Sequence, residues 1–504
     1  MSLFLKKPIS QLMAESAESE KSLKRTLTAG SLIALGIGAI IGAGLFVRTA
    51  AAAAQNAGPS VTYGFIVAAI GCALAGLCYA ELSSSIPIAG SAYTYTYATM
   101  GELMAWIIGW DLILEYAVGA ATVGIAWSEY LNRLLGDVLG VSEIPYQWCH
   151  SPFQHAGDVH GIINLPALFI VIILTMLLIR GTQESALVNG IIVITKVSIV
   201  VLIIVLGWKF INPANHTPYI PAATTYIDPD GLPHNFGGFW GIIGAAGVVF
   251  FAFIGFDAVS TTAQEAVNPK RDMPIGILGS LAICTVLYIL FAHVLTGIAT
   301  VEDFRTSGKE ASVVFVINKY MIGYGWLSKL VTVAILAGFS SVILVMLLGQ
   351  SRVFYSMSRD GLLPKVFSDI HPKYKTPYKA SWFILILVGL FAAFVPGDIV
   401  GDMTSIGTLF AFILVCIAVI VLRKTNPELK REFKTPWVPL VPILGALVCG
   451  LMILGLGWPN WLRLIVWLLI GFVIYFTYSK KHSVLQNKGI VVEPIDPPKP
   501  NFID

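Results

Sequence analysis

Four ionisable residues lie inside long apolar runs. Asp111 and Glu115 occur in GWDLILEYAVG, Lys196 in GIIVITKVSIVVLIIV and Asp257 in FFAFIGFDAVSTTAQEA. Charged groups within a bilayer are costly and mark ion or proton pathways. Asp111 and Glu115, four residues apart, share one face of a helix. Lys196 has Ile and Val on both sides and lies too far from either end of its run to snorkel easily. Desolvation disfavours the charged form of a buried group, so a lysine or carboxyl there can take up and release a proton near neutral pH. That is the chemistry of a proton-coupled machine, with Lys196 and Asp257 as its candidates. Plainer readings stand beside it. Asp111 fits a structural hydrogen bond between helices, Glu115 fits either that or a functional role, and His293 reads as a satisfied polar residue.

The elements that hold these residues are unusual in two places. GIGAIIGAGLF, residues 36–46, contains Gly36, Gly38, Gly42 and Gly44. Gly38 and Gly42 form a small-xxx-small pattern suited to close helix packing. A dinucleotide fingerprint is excluded, because the spacing is wrong and no strand precedes it. The third reading is an unwound segment over Ile40, Ile41, Gly42, Ala43 and Gly44, which glycine makes cheap. The second place is GFWGIIGAAGVVFFAFIGFDAV, where the helix looks interruptible near Ala252–Gly255. A half-helix starting after Gly44 aims free N–H groups at an anion such as a carboxylate. The half-helices before the breaks end in carbonyls, and those of Ile40, Phe251, Ala252 and Ile254 can accept from an ammonium. An α-amino acid carries both groups on one carbon. On this reading Gly36 and Gly38 serve packing, so that Gly36→Ala is mild while Gly42→Leu and Gly44→Leu remove binding.

Composition sets the wider frame. The chain has 504 residues, 56% hydrophobic and 12% charged, against roughly 25% charged in soluble domains. Crossing a bilayer takes about 20 apolar residues. Twelve stretches qualify, near 28–54, 61–87, 102–132, 162–180, 186–209, 237–263, 276–300, 327–351, 380–396, 401–422, 437–457 and 461–478, with GDIV dividing the ninth from the tenth. The expected organisation is a tail over 1–27, a first five-helix repeat over 28–209, a second, inverted one over 237–422, two further helices within 437–478 and a tail over 479–504. Breaks in the first and sixth stretches are the sequence pointer to inverted-repeat transporters. The fold class expected is therefore an all-α polytopic membrane protein with twelve transmembrane helices, five plus five in inverted repeat, helices 1 and 6 broken. Of the 32 Lys and Arg, about 23 fall on the side that holds both tails, which places both termini in the cytosol. The net charge of +3 gives no reason to expect nucleic acid. Residues 1–25 are polar and charged, so no cleavable signal peptide is read there. Five of the six cysteines lie in apolar runs, and Cys149 alone lies in a loop. That is neither a disulfide framework nor a zinc spacing, and no cofactor or metal is expected.

These motifs together carry a family resemblance. GIGAIIGAGLF, GFDAVSTTAQEAVNPKRDMPIGI, SRVFYSMSRDGLLPKVFSDIHPKYKTP and DMTSIGTLFAFILVCIAVIVLR resemble the amino acid–polyamine–organocation (APC) superfamily, and within it the cationic amino acid transporter branch, in a prokaryotic form. The resemblance implies alternating access. It places a substrate carboxylate on the backbone of Ala43 and Gly44, the ammonium on the carbonyls of Ile40, Phe251, Ala252 and Ile254, and an aromatic gate at Phe251. It puts Lys196 at the position of a fifth-helix lysine in proton-coupled relatives, where sodium-coupled relatives hold a sodium ion. Ser340 and Ser341 match the eighth-helix position facing it. Asp257 falls where a related exchanger has a proton-linked glutamate.

The function expected is proton-coupled uptake of an amino acid across the cell membrane. The Gly- and Ala-rich walls suit a small neutral substrate such as alanine. Cationic ones such as arginine are admitted if Glu115 reaches the pocket. An exchanger without proton coupling is the first alternative. The second is the light chain of a heteromeric transporter, tied to a membrane partner through Cys149, against which stands the reading of a lone free thiol. No Walker pattern, metal spacing or nucleophile–base set supports an enzyme.

Overall fold

A computed structural model describes residues 3–9, 11–12, 27–86, 91–181, 186–228, 231, 233–306, 312–374 and 376–488. The sequence-expected tails lie largely outside the described residues. The described chain is helical apart from two short hairpins, His155–Ala156 with Val159–His160 and Thr224–Ile227 with Pro233–Phe236. Eight helical segments are long and apolar enough to cross a membrane, and four shorter apolar helices accompany them.

In chain order the principal helices are α1 (Ala29–Ile40), α2 (44–57), α3 (Val61–Ser85), α4 (Glu102–Val138), α5 (Leu165–Ile179), α6 (Ala186–Gly207), α7 (Gly238–Val249), the 3₁₀ segment α8 (Asp257–Glu265), α9 (Pro269–Ile298), α10 (Gly325–Arg359), α11 (Tyr378–Phe394), α12 (Gly397–Thr425), α13 (Leu440–Gly455) and α14 (Trp458–His482). Local signals place several starts. Thr28 Oγ1 accepts from the Ser31 N–H at α1, and Asn164 Oδ1 accepts from the Ala167 N–H at α5, with Pro166 in the first turn. Both use a side-chain oxygen to satisfy a free N–H of the first turn. The boundary expected at GDIV lies earlier. α11 ends at Phe394, α12 starts at Gly397, and GDIV is its first turn. Pro396 cannot continue a helix from the preceding turn but is well placed to precede one.

α1 packs on α6 and α9, α9 on α3, α4 on α10, and α12 on α13 and α3. The broken helices α1–α2 and α7–α8 thus lie inside a layer of unbroken ones. Two charge clusters, each built on one buried charge with half-buried partners, fasten opposite ends. At the end carrying the basic loops, Glu81 is fully buried and accepts from Arg423 Nε (2.9 Å), Arg423 Nη2 (2.7 Å) and the Thr435 N–H (2.7 Å). At the other end Arg48 of α2, 3% exposed, pairs with Asp398 and Asp402 of α12. Arg431 Nε also lies 3.3 Å from the Glu81 carboxylate, so losing Arg423 removes the two-pronged partner and leaves a single one, at a cost below the roughly 3–5 kcal/mol of a buried charge left wholly unpaired. Arg423→Ala should accordingly lower the melting temperature of the purified protein well below that of a substitution at exposed Lys270, measured by thermal unfolding in detergent.

Candidate functional site

The first break is narrower than expected. α1 runs through Ile40, and Ile41 turns extended (φ −73°, ψ 100°), its N–H still bonded to the Ile37 carbonyl. Ala43 is already helical (φ −58°, ψ −27°) and Gly44 lies within the resumed helix. Only Ile41 and Gly42 leave helical geometry. The second break follows Phe253. Ile254 is extended (ψ 135°) and Gly255 has φ +116°, a conformation that glycine adopts without the steric cost a side chain would bring.

The two breaks touch backbone to backbone. A Cβ on Gly44 would fall 2.6 Å from the Ala252 N and closer still to its Cα; a Cβ on Gly255 would fall 2.9 Å from the Ala39 carbonyl carbon. Gly44 is therefore required for close approach, not for unwinding. The Tyr288 hydroxyl of α9 binds both breaks at once, donating to the carbonyls of Ile40 (3.0 Å) and Ala252 (3.0 Å). The Phe251 carbonyl accepts from the Ile254 N–H (3.3 Å). Three of the four carbonyls assigned to a substrate ammonium thus already have a donor. Tyr288 was not among the expected site residues; a tyrosine inside CTVLYILF carries no signal beyond an apolar helix face.

Gly36 packs as expected, but more tightly than a mild substitution allows. A Cβ there would fall 2.6 Å from Ser280 Cβ on α9. Gly36→Ala is therefore not the tolerated control, because Ser280 Cβ is fixed by its helix and cannot rotate away.

The ionisable residues fall in two groups. Lys196 of α6 is buried and its Nζ donates to the Gly38 carbonyl of α1 (2.8 Å). Its aliphatic stem presses on Gly338 of α10, where a Cβ would lie 2.7 Å from Lys196 Cε. With Ile41, Phe46 and Phe339 it borders a cavity of about 10 Å³, room for about one water. Ser341 lies one turn beyond Gly338, buried, its hydroxyl without a hydrogen-bond partner among the described residues. Ser340 turns elsewhere, accepting from Trp127 Nε1 (3.1 Å).

The second group is acidic. Tyr116 OH donates to Asp257 Oδ2 (2.9 Å), and the Glu115 carboxyl adjoins that of Asp257 and the Thr408 hydroxyl of α12, with neither of its oxygens in a hydrogen bond among the described residues. Asp111 adjoins it one turn earlier. Its carboxyl has no hydrogen-bond partner among the described residues, so the interhelical hydrogen bond expected for it is not formed there. Tyr116 and Thr408 were missed, since same-face spacing on α4 does not say which helix lies opposite. His293 is satisfied, its Nδ1 3.2 Å from Tyr219 OH. Cys149 is 1% exposed and its sulfur accepts from Asn132 Nδ2 (3.3 Å), so the thiol is covered.

Two broken helices meeting inside a helical bundle, with ionisable groups beside the contact, define a membrane transport protein. The chain belongs to the amino acid permease family, whose pattern matches residues 27–488. It is 46% identical over 487 residues to the branched-chain amino acid permease BcaP of Bacillus subtilis (strain 168), covering 96% of this chain and 99% of the relative. It is 41% identical over 485 residues to the methylthioribose transporter of the same organism, covering 96% and 99%. It is 36% identical over 431 residues to the chloroplastic cationic amino acid transporter 9 of Arabidopsis thaliana, covering 85% and 72%. The chain is an APC-superfamily transporter of the cationic amino acid transporter-like branch, a multi-pass membrane protein and not an enzyme.

Proposed function

We propose that the protein takes up a neutral aliphatic amino acid, between alanine and the branched-chain residues in size, together with a proton. The reading assumes twelve membrane crossings in two inverted five-helix repeats, with both termini cytosolic. The observation that carries it is the meeting of the two breaks at Gly44 and Ala252 under the Tyr288 hydroxyl. Free N–H groups at the start of α2 suit a carboxylate, and the carbonyls of Ile40, Phe251, Ala252 and Ile254 suit an ammonium. The neighbouring side chains Ile40, Ile41, Phe251 and Ile254 are apolar. The naming of the Bacillus relative as a branched-chain permease points the same way.

Two features support proton coupling. The Lys196 ammonium holds the Gly38 carbonyl between α1 and α10, where it does the work a bound cation would do. Glu115 and Asp257 adjoin one another with no ion pair to a cation among the described residues. Two carboxylates side by side in a dry interior repel, so the pair is suited to holding a shared proton. Binding of the amino acid at the breaks and protonation at these groups would bias the same helices, which is what coupling requires.

Tyr288 supplies a test of the ammonium site. If substrate takes the carbonyls of Ile40 and Ala252, it displaces the tyrosine hydroxyl. Tyr288→Phe should lower the melting temperature of the substrate-free protein, a lost buried hydrogen bond costing about 1–3 kcal/mol. It should also enlarge the stabilisation that saturating substrate provides. Equal substrate stabilisation in both proteins would place the ammonium elsewhere. A second reading, transport of methylthioribose, is favoured by the 41% identity to a methylthioribose transporter. Competition of all twenty amino acids and methylthioribose against labelled leucine in proteoliposomes separates the two; inhibition by methylthioribose with none by neutral amino acids would reverse the assignment.

A further inference from the structure

Away from the breaks, the start of α9 borders a cleft of about 820 Å³ lined by Lys270, Arg271, Ile275, Leu278, Glu432 and Phe433, among others. Its charged rim is net positive. Glu432 is held by two lysines, Lys270 (3.3 Å) and Lys430 (3.2 Å). Arg271 is exposed and forms no ion pair among the described residues. Asp272 does not front the cleft: it is buried and accepts from the Asn268 N–H (3.1 Å). The walls beyond the rim are apolar. They continue into a stripe along α9, Ile275, Ile283, Val286 and Leu290, each between 37% and 59% exposed. On a helix these positions fall within one narrow arc, and an exposed apolar arc of this kind is a lipid-facing surface.

We propose that this cleft binds one anionic glycerophospholipid, its phosphate on Arg271 and Lys270 and an acyl chain along the Ile275–Leu290 stripe. A basic pocket between membrane helices suits such a headgroup. The charge alone would serve any phosphate, but the apolar floor and the stripe leading from it have no use for a free anion. The site is separate from the breaks, so its occupancy does not depend on what the protein transports.

The test is lipid retention by the full-length purified protein. Detergent micelles carrying equal amounts of phosphatidylglycerol and phosphatidylcholine are offered, and bound lipid is counted by native mass spectrometry. The wild type should retain one phosphatidylglycerol in preference to phosphatidylcholine. Each removed basic residue should lower that retention about fivefold, so Arg271→Gln loses most of it and Lys270→Gln/Arg271→Gln nearly all, while Arg271→Lys keeps it. Melting temperatures in phosphatidylcholine alone, equal for wild type and variants, show that the variants fold. Should a variant not fold, the wild-type preference between the two lipids decides by itself. Inorganic phosphate at the same concentration should leave the melting temperature unchanged. Equal retention of the two lipids by wild type, undiminished phosphatidylglycerol on the folded double variant, or a phosphate-induced shift matching that of the lipid would each overturn the proposal.

Discussion

Lys196→Ala should abolish proton-driven accumulation of labelled amino acid in proteoliposomes, leaving only equilibration across the membrane. The argument rests on position. The Lys196 ammonium donates to the Gly38 carbonyl, one turn before the first break, and its stem fills the gap left by Gly338 on α10. Truncation removes the charge, frees a buried carbonyl and opens a cavity between α1, α6 and α10. The unmade hydrogen bond costs about 1–3 kcal/mol and the lost methylenes add a cavity term. A protein of this size should still fold, so the defect will lie in coupling. Lys196→Met, which keeps much of the volume and removes the charge, separates the two effects. It should accumulate no better than alanine at this position while recovering part of the lost melting temperature. Accumulation by either variant at the wild-type level would make the lysine a packing residue.

Gly44→Leu should remove substrate binding altogether. Any side chain at Gly44 meets the Ala252 backbone, which has no rotamer to give, and inserting atoms into a packed contact costs about 1–3 kcal/mol or more. The contact in question is the one that aligns the N–H groups of α2 with the carbonyls before Gly255. Gly42 offers the internal control. A Cβ there lies 3.2 Å from Val342 Cγ2, a side-chain methyl that can yield by a few tenths of an ångström. Gly42→Ala should therefore retain binding within about tenfold of wild type, measured by isothermal titration or substrate-dependent melting. Equal loss at both positions would mean that the whole segment, and not the Gly44–Ala252 contact, sets the site.

The apolar runs were legible because a bilayer leaves few alternatives to a helix, and the second break was legible because Gly255 sits where the apolar pattern turns polar. The first break was legible in place but not in kind. Glycine in a sequence signals either conformational freedom or close approach. Gly36 was legible as a packing residue, but only the structure shows that Gly44 also serves approach while Ile41 and Gly42 carry the unwinding. Tyr288, Tyr116 and Thr408 escaped notice because their polar atoms act across helices far apart in sequence, and an amphiphilic side chain in an apolar run looks like core. The pairing of Arg48 with Asp398 and Asp402 escaped for the same reason. Glu115 was legible as an anomaly, but its partner Asp257 is fixed by packing of α4 against the second break.

The most direct test of proton-coupled amino acid uptake is accumulation of labelled leucine by proteoliposomes under an imposed inward proton gradient, with sodium present or absent. The account predicts accumulation above equilibrium that collapses with a protonophore and is indifferent to sodium. Accumulation that requires a sodium gradient, or that survives the protonophore, would contradict it.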